Sequence, residues 1–117
     1  MIVPVPLHKR RLKRRGYNQA SLISQDLGKL MDIPVVDGCL VRIKEAKPQV
    51  DTESVEERWN NVKSAFCCVD DRVVGKRILI IDDVCTTGAT MESCARVLKE
   101  GGASSVWGLS VARETQE

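Results

Sequence analysis

The chain is predicted to be an α/β domain built on a largely parallel sheet of about five strands flanked by helices. Three observations predict it. Arg77 to Asp83 contains an unbroken aliphatic run, as in strands covered on both faces. Two segments carry apolar residues at helical spacing, Asn18 to Met31 and Met91 to Glu100. Short strand-like runs alternate with them, the order expected of helices packed on a parallel sheet. The 117 residues suffice for one domain with a modest core.

The elements follow in order. Ile2 to Pro6 reads as a short first strand, limited by Pro4 and Pro6. His8 to Gly16 is strongly basic and has no apolar period, so a loop is expected. In the first helix Leu22, Ile23, Leu27 and Leu30 recur at helical spacing, Asn18 is a candidate cap, and Asp32-Ile-Pro34 is the stop. Val35 to Ile43 has strand composition. Lys44 to Thr52 is polar and contains Pro48, which suits a loop. Ser54-x-x-Glu57 matches a capping box for a short helix through Asn61. Ala65 to Val69 is a further strand, Asp70 to Gly75 a turn, and Arg77 to Asp83 the central strand. Met91, Cys94 or Ala95, and Leu98 share one side of the second helix, which Gly101-Gly102 ends. Ser105 to Ala112 is the last strand.

Composition excludes some classes. The net charge of +2 is too small to define a partner, but six basic residues crowd Lys9 to Arg15. Five cysteines (Cys39, Cys67, Cys68, Cys85, Cys94) contain no CxxC pair and are odd in number. That pattern suits reduced thiols rather than a disulfide frame, and no structural zinc is expected. No apolar run is long enough to span a membrane and no signal-peptide core is seen, so a cytoplasmic location without membrane insertion is expected.

The chemistry concentrates in "RILIIDDVCTTGAT", Arg77 to Thr90. In a parallel α/β sheet, ligands sit beyond the carboxyl ends of strands. Asp82 and Asp83 are expected at that edge. Two adjacent carboxylates repel, and they are tolerated if hydroxyls or a cation face them. The small residues Thr86, Thr87, Gly88, Ala89 and Thr90 then lead into a helix. Backbone amides there can approach a ligand closely, Gly88 permits a tight turn, and the helix N-terminus favours an anion. Acids for a sugar diol beside amides for a phosphate describe a ribose 5-phosphate site. The plainer alternative is a strand stop followed by a cap, with no ligand. GxxxxGK[ST] and GxGxxG are absent.

"ILIIDDVCTTGAT", Ile78 to Thr90, resembles at every position the phosphoribosyl pyrophosphate (PRPP) motif of type I phosphoribosyltransferases. "VPVPLHKRRLKRRGYNQA" (Val3 to Ala20), "ERWNNVKSAF" (Glu57 to Phe66) and "VAR" (Val111 to Arg113) resemble one branch, the ComF competence-protein family. The resemblance implies a type I phosphoribosyltransferase core over residues 1–117, without the family's N-terminal cysteine-rich, zinc-ribbon-like segment.

The resemblance also implies roles. Asp82 and Asp83 bind the ribose hydroxyls and hold Mg²⁺ through the ribose or water. Thr86 to Thr90 hold the 5-phosphate. Leu7, His8, Lys9 and Arg10 form the pyrophosphate loop, and Lys44 to Arg58 the flexible loop over the site. The implied reaction is Mg²⁺-dependent glycosyl transfer from PRPP to an unknown nitrogen acceptor. Phosphate or sulfate is expected to occupy the same turn. His8 is either a proton donor to pyrophosphate or a loop histidine without chemical work, and Cys85 reads as a small filler. Related cores often pair as homodimers. The competing reading of residues 8–16 is a non-catalytic nucleic-acid module, in which the basic run binds single-stranded DNA or serves the competence machinery. The family's link to DNA uptake suits it.

Overall fold

The computed structural model describes residues 1–43, 65–85 and 88–113. Their elements are β1 (Ile2–Pro4), α1 (Lys9–Arg15), α2 (Gln19–Met31), β2 (Leu40–Arg42), β3 (Phe66–Cys68), β4 (Arg77–Cys85), α3 (Ala89–Glu100) and β5 (Ser105–Arg113). The α/β class and the parallel sheet expected from the sequence are both present. The short helix expected after Ser54 and the loop from Lys44 to Arg58 lie outside the described residues.

The aliphatic run makes β4 the middle of a parallel sheet of order β1-β4-β5. Ile2 is registered with Leu79, and Leu79 in turn with Trp107. Side chains alternate along β4. Ile78 and Ile80 enter a core with Val3, Val5, Leu40, Phe66, Val73, Cys94 and Leu98. Ile2 and Ile81 are also fully buried, and α2 packs over β1 and β4. This placement explains why the run is apolar throughout. Burying one such side chain contributes roughly 1.5–3 kcal/mol.

The segment expected as one strand from Val35 to Ile43 divides into two. Val35 makes a parallel bridge to Ile2, beside the sheet. Beyond Gly38 the chain turns, and Leu40–Arg42 pairs antiparallel with Phe66–Cys68. The five strands found among the described residues therefore form a parallel three-stranded sheet and a separate antiparallel pair. Composition reports suitability for a strand but not the strand's partner.

The basic run is a helix rather than the expected loop. His8 caps α1, its Nδ1 accepting from the Arg10 backbone N–H at 3.2 Å. Gly16 closes it with φ of 82°, a conformation glycine adopts without steric cost. Arg, Lys and Leu are good helix formers. No residue of α1 is buried, so apolar periodicity was absent for lack of a buried face, not for lack of a helix.

The helix expected from Asn18 is present, but its buried face differs from the expected one. Ala20, Ser24 and Gly28 are the buried residues, while Leu22 and Leu30 are exposed, the latter by 84%. Ser24 is satisfied by donating to the Ala20 carbonyl at 2.7 Å. Small residues at i, i+4 and i+8 allow the helix to lie close to its neighbours.

Candidate functional site

β1 and β4 end side by side, and Val5 continues the pairing by donating its N–H to the Ile81 carbonyl at 2.8 Å. At this edge lies a cleft of about 230 Å³ lined by Val5, Pro6, Leu7, Arg11, Arg15, Asn18, Arg42, Asp82, Asp83, Val84 and Thr90. The location is the one that a parallel sheet provides for ligands. A smaller pocket of about 20 Å³ adjoins it, sharing Asp82, Val84 and Thr90 and adding Cys85, Gly88 and Met91.

Each wall has a local cause. Asn18 is the N-cap of α2, its Oδ1 accepting from the Ala20 N–H at 3.1 Å. Its Nδ2 donates to the Val5 carbonyl at 3.0 Å, which ties the helix start to the strand end. Arg11 and Arg15 stand four residues apart on α1 and so share a helix side. Gly88, with φ of 82°, precedes α3 as its N-cap and makes no side-chain cap hydrogen bond. The twelve-residue helix directs the positive end of its dipole toward Gly88.

The two acids differ. The Asp82 carboxylate accepts from the Asp83 N–H at 2.9 Å, and that of Asp83 accepts from the Val84 N–H at 2.9 Å. Asp82 is pushed up to about 6, first by burial and then by a side-chain hydrogen bond with Asp83; the Arg42 charge acts the other way. One carboxylate is thus poised to hold a proton near neutrality, a property common at functional sites. Cys94 is fully buried and is pushed up to about 12 by burial and then by the Asp82 charge, so it is a protonated filler of the core.

The sequence-predicted residues divide. Asp82, Asp83, Thr90 and Leu7 line the cleft, and Gly88 lines the adjoining pocket. Ala89 is buried at the start of α3. Thr86 and Thr87 lie outside the described residues. His8, Lys9 and Arg10 are absent from the lining, and His8 Nδ1 is engaged in capping. The cleft instead gains Arg11, Arg15, Asn18 and Arg42. Helical spacing pairs Arg11 with Arg15 but equally Lys9 with Lys13 and Arg10 with Arg14, so which pair meets the cleft is set by how α1 packs. Arg42 had no local signal, because it reaches the site through its pairing with Phe66.

A parallel sheet whose carboxyl edge carries an acid- and arginine-lined cleft, with α3 beginning beside β4, is the arrangement of a phosphoribosyl transferase domain. The chain belongs to the phosphoribosyl transferase domain family, whose model matches residues 12–113. Its relatives include Competence protein F of Haemophilus influenzae, 38% identical over 95% of this chain and 50% of that protein. DNA utilization protein YhgH of Escherichia coli K12 is 36% identical over 90% and 45%, respectively. Competence protein ComFC of Bacillus subtilis is 33% identical over 97% and 44%. The resemblance to the ComF family drawn from the sequence is borne out. The chain spans about half the length of these relatives. No helix among the described residues is long and apolar enough to cross a membrane.

Proposed function

We propose that this chain binds PRPP at the β4–α3 turn and transfers its phosphoribosyl group to a nitrogen acceptor. The observation that carries the reading is the convergence of Asp82, Asp83 and Thr90 with Arg11 and Arg15 on one cleft. Acids orient the ribose hydroxyls, and the turn with the start of α3 receives the 5-phosphate. Arg11 and Arg15 face the diphosphate end. When the C1–O bond breaks, the electron pair leaves with pyrophosphate and C1 takes on oxocarbenium character. The acceptor nitrogen then forms the new bond to C1. Arginine side chains stabilise the charge that develops on the leaving group. No covalent nucleophile is needed, which agrees with the protonated Cys94.

Mg²⁺ would supply further neutralisation of the diphosphate. Among the described residues no cluster of three or more His, Cys, Asp or Glu side chains forms a metal cage. Two carboxylates plus phosphate oxygens are nevertheless a common Mg²⁺ environment, and Asp82 and Asp83 would hold the ion through water or the sugar oxygens.

Magnitudes favour a two-ended grip. Three or four charge-assisted hydrogen bonds at about 1.5–3 kcal/mol each give roughly 5–12 kcal/mol, and association alone costs roughly 4–15 kcal/mol. Phosphate or sulfate alone should therefore bind weakly.

A second reading has its own observation. All of α1 is exposed, and Lys9, Arg10, Lys13 and Arg14 are not among the cleft-lining residues. A basic helix so placed suits the phosphates of single-stranded nucleic acid, and one relative is named for DNA utilization. A thermal-shift experiment separates the two. Stabilisation by Mg-PRPP is expected for the transferase. Stabilisation by single-stranded DNA that fades with salt, with PRPP inert, would replace it by the binding module.

A further inference from the structure

Arg42 ends β2 and borders the cleft. It is registered with Phe66, and its guanidinium lies over that ring at 5.1 Å from the centroid. Stacking of this kind holds a guanidinium in a defined plane. The Nε atom is shielded from solvent yet has no hydrogen-bond partner among the described residues. A buried donor on a charged group is costly when no acceptor meets it, and arginine cannot escape the cost by losing its proton.

Among the described residues no acceptor meets it. Asp82 lines the same cleft, but the ion pairs recorded among the described residues are Arg72–Asp70 and Arg96–Glu92, not Arg42–Asp82. The Asp82 carboxylate is engaged by the Asp83 N–H instead. Arg11 and Arg15 line the cleft as well, so three guanidinium groups face one cavity. Like charges brought together in this way favour a bound anion.

We infer that Arg42 is an oxyanion-binding residue of the cleft, with Nε–H and a terminal N–H forming a fork for two oxygens of the ligand. A guanidinium fork matches paired phosphate or carboxylate oxygens. Resting on the proposed function, the inference allows two sources for those oxygens: the diphosphate of the sugar donor, or a carboxylate on the nitrogen acceptor.

Calorimetry on the whole chain and on Arg42→Gln and Arg42→Lys tests it with three probes. They are ribose 5-phosphate, pyrophosphate, and nicotinate added to protein saturated with the other two. The expected result is a tenfold or greater loss of pyrophosphate or nicotinate affinity in Arg42→Gln, with ribose 5-phosphate within twofold. Arg42→Lys should recover only part of the loss, because the fork is gone. Loss for pyrophosphate assigns the group to the donor, and loss for nicotinate alone assigns it to the acceptor. Changes within twofold for pyrophosphate and nicotinate would overturn the inference, as would an equal loss for all three probes. If pyrophosphate binds through Arg42 and ribose 5-phosphate does not bind at all, the inference stands and the sugar-phosphate reading falls. Should the variants fail to fold, the Nε–H resonance of Arg42 in the unmodified chain, assigned from its own backbone, must shift on adding pyrophosphate or nicotinate. A resonance unmoved by either counts against the assignment.

Discussion

Asp82 takes a hydrogen bond from the backbone N–H of Asp83 at 2.9 Å, while the Asp83 carboxylate takes its own from the next residue, Val84. Asp82 is raised to about 6 chiefly by burial, and the Asp83 carboxylate is turned onto the Val84 N–H.

The raised Asp82 gives a pH signature. A sugar diol donates to an ionised carboxylate, so affinity for ribose 5-phosphate should rise as pH increases through about 6. Stability should move the other way. The folded-state pKa lies above the ordinary carboxylate value of 3.8, so the native state binds the proton more tightly than the unfolded state. Stability from this group then falls as pH rises between 3.8 and about 6, and levels off above. Asp70, held below its usual range by hydrogen bonds from Arg72, acts only at lower pH and with the opposite slope. Urea titrations across this window should show the fall in the parent chain and lose it in Asp82→Asn.

Asp83→Asn should weaken Mg-PRPP binding by about tenfold or more, the loss of one charge-assisted hydrogen bond at roughly 1.5–3 kcal/mol. The circular dichroism spectrum should be unchanged, since the side chain lies at the end of a strand in the cleft wall. Unaltered PRPP affinity would remove Asp83 from the ribose site.

Arg10 and Arg11 are adjacent in sequence but differ at the cleft, which only Arg11 of the two lines. Arg11→Ala should weaken pyrophosphate binding several-fold, and Arg10→Ala should leave it unchanged. If α1 also meets single-stranded DNA, Arg10→Ala should instead reduce the salt slope of that binding by about one. Fluorescence anisotropy at several salt concentrations reads the second effect.

Two glycines test the packing. A β-carbon at Gly28 would stand 2.5 Å from Val35 Cγ2 and 2.9 Å from the Ile33 carbonyl oxygen. The carbonyl belongs to the backbone and cannot swing away, so Gly28→Ala should destabilise the chain by about 1–3 kcal/mol. At Gly108 the same atom would meet Met91 Cγ and Sδ at 2.7 Å. Methionine adapts its rotamers readily, so Gly108→Ala should cost less. Denaturation midpoints of the two variants give the order directly.

The sequence alone determined the α/β class, the central strand, both long helices and the place of the two acids at the sheet edge. Each is written locally: an aliphatic run, a cap at Asn18, and two acids followed by small residues within fourteen positions from Arg77 to Thr90. Tertiary structure decided what pairing and packing decide. It turned the basic run into a helix that buries nothing and sent Arg11 and Arg15 to the cleft. It selected Ala20, Ser24 and Gly28 over the leucines as the buried face of α2. It carried Arg42 to the site by pairing with Phe66. The physical reason is range. Helix periods, caps and turn chemistry act over a few residues and can be read along a chain. A strand's partner and a helix's buried side depend on atoms distant in sequence, whose positions exist only once the core has closed.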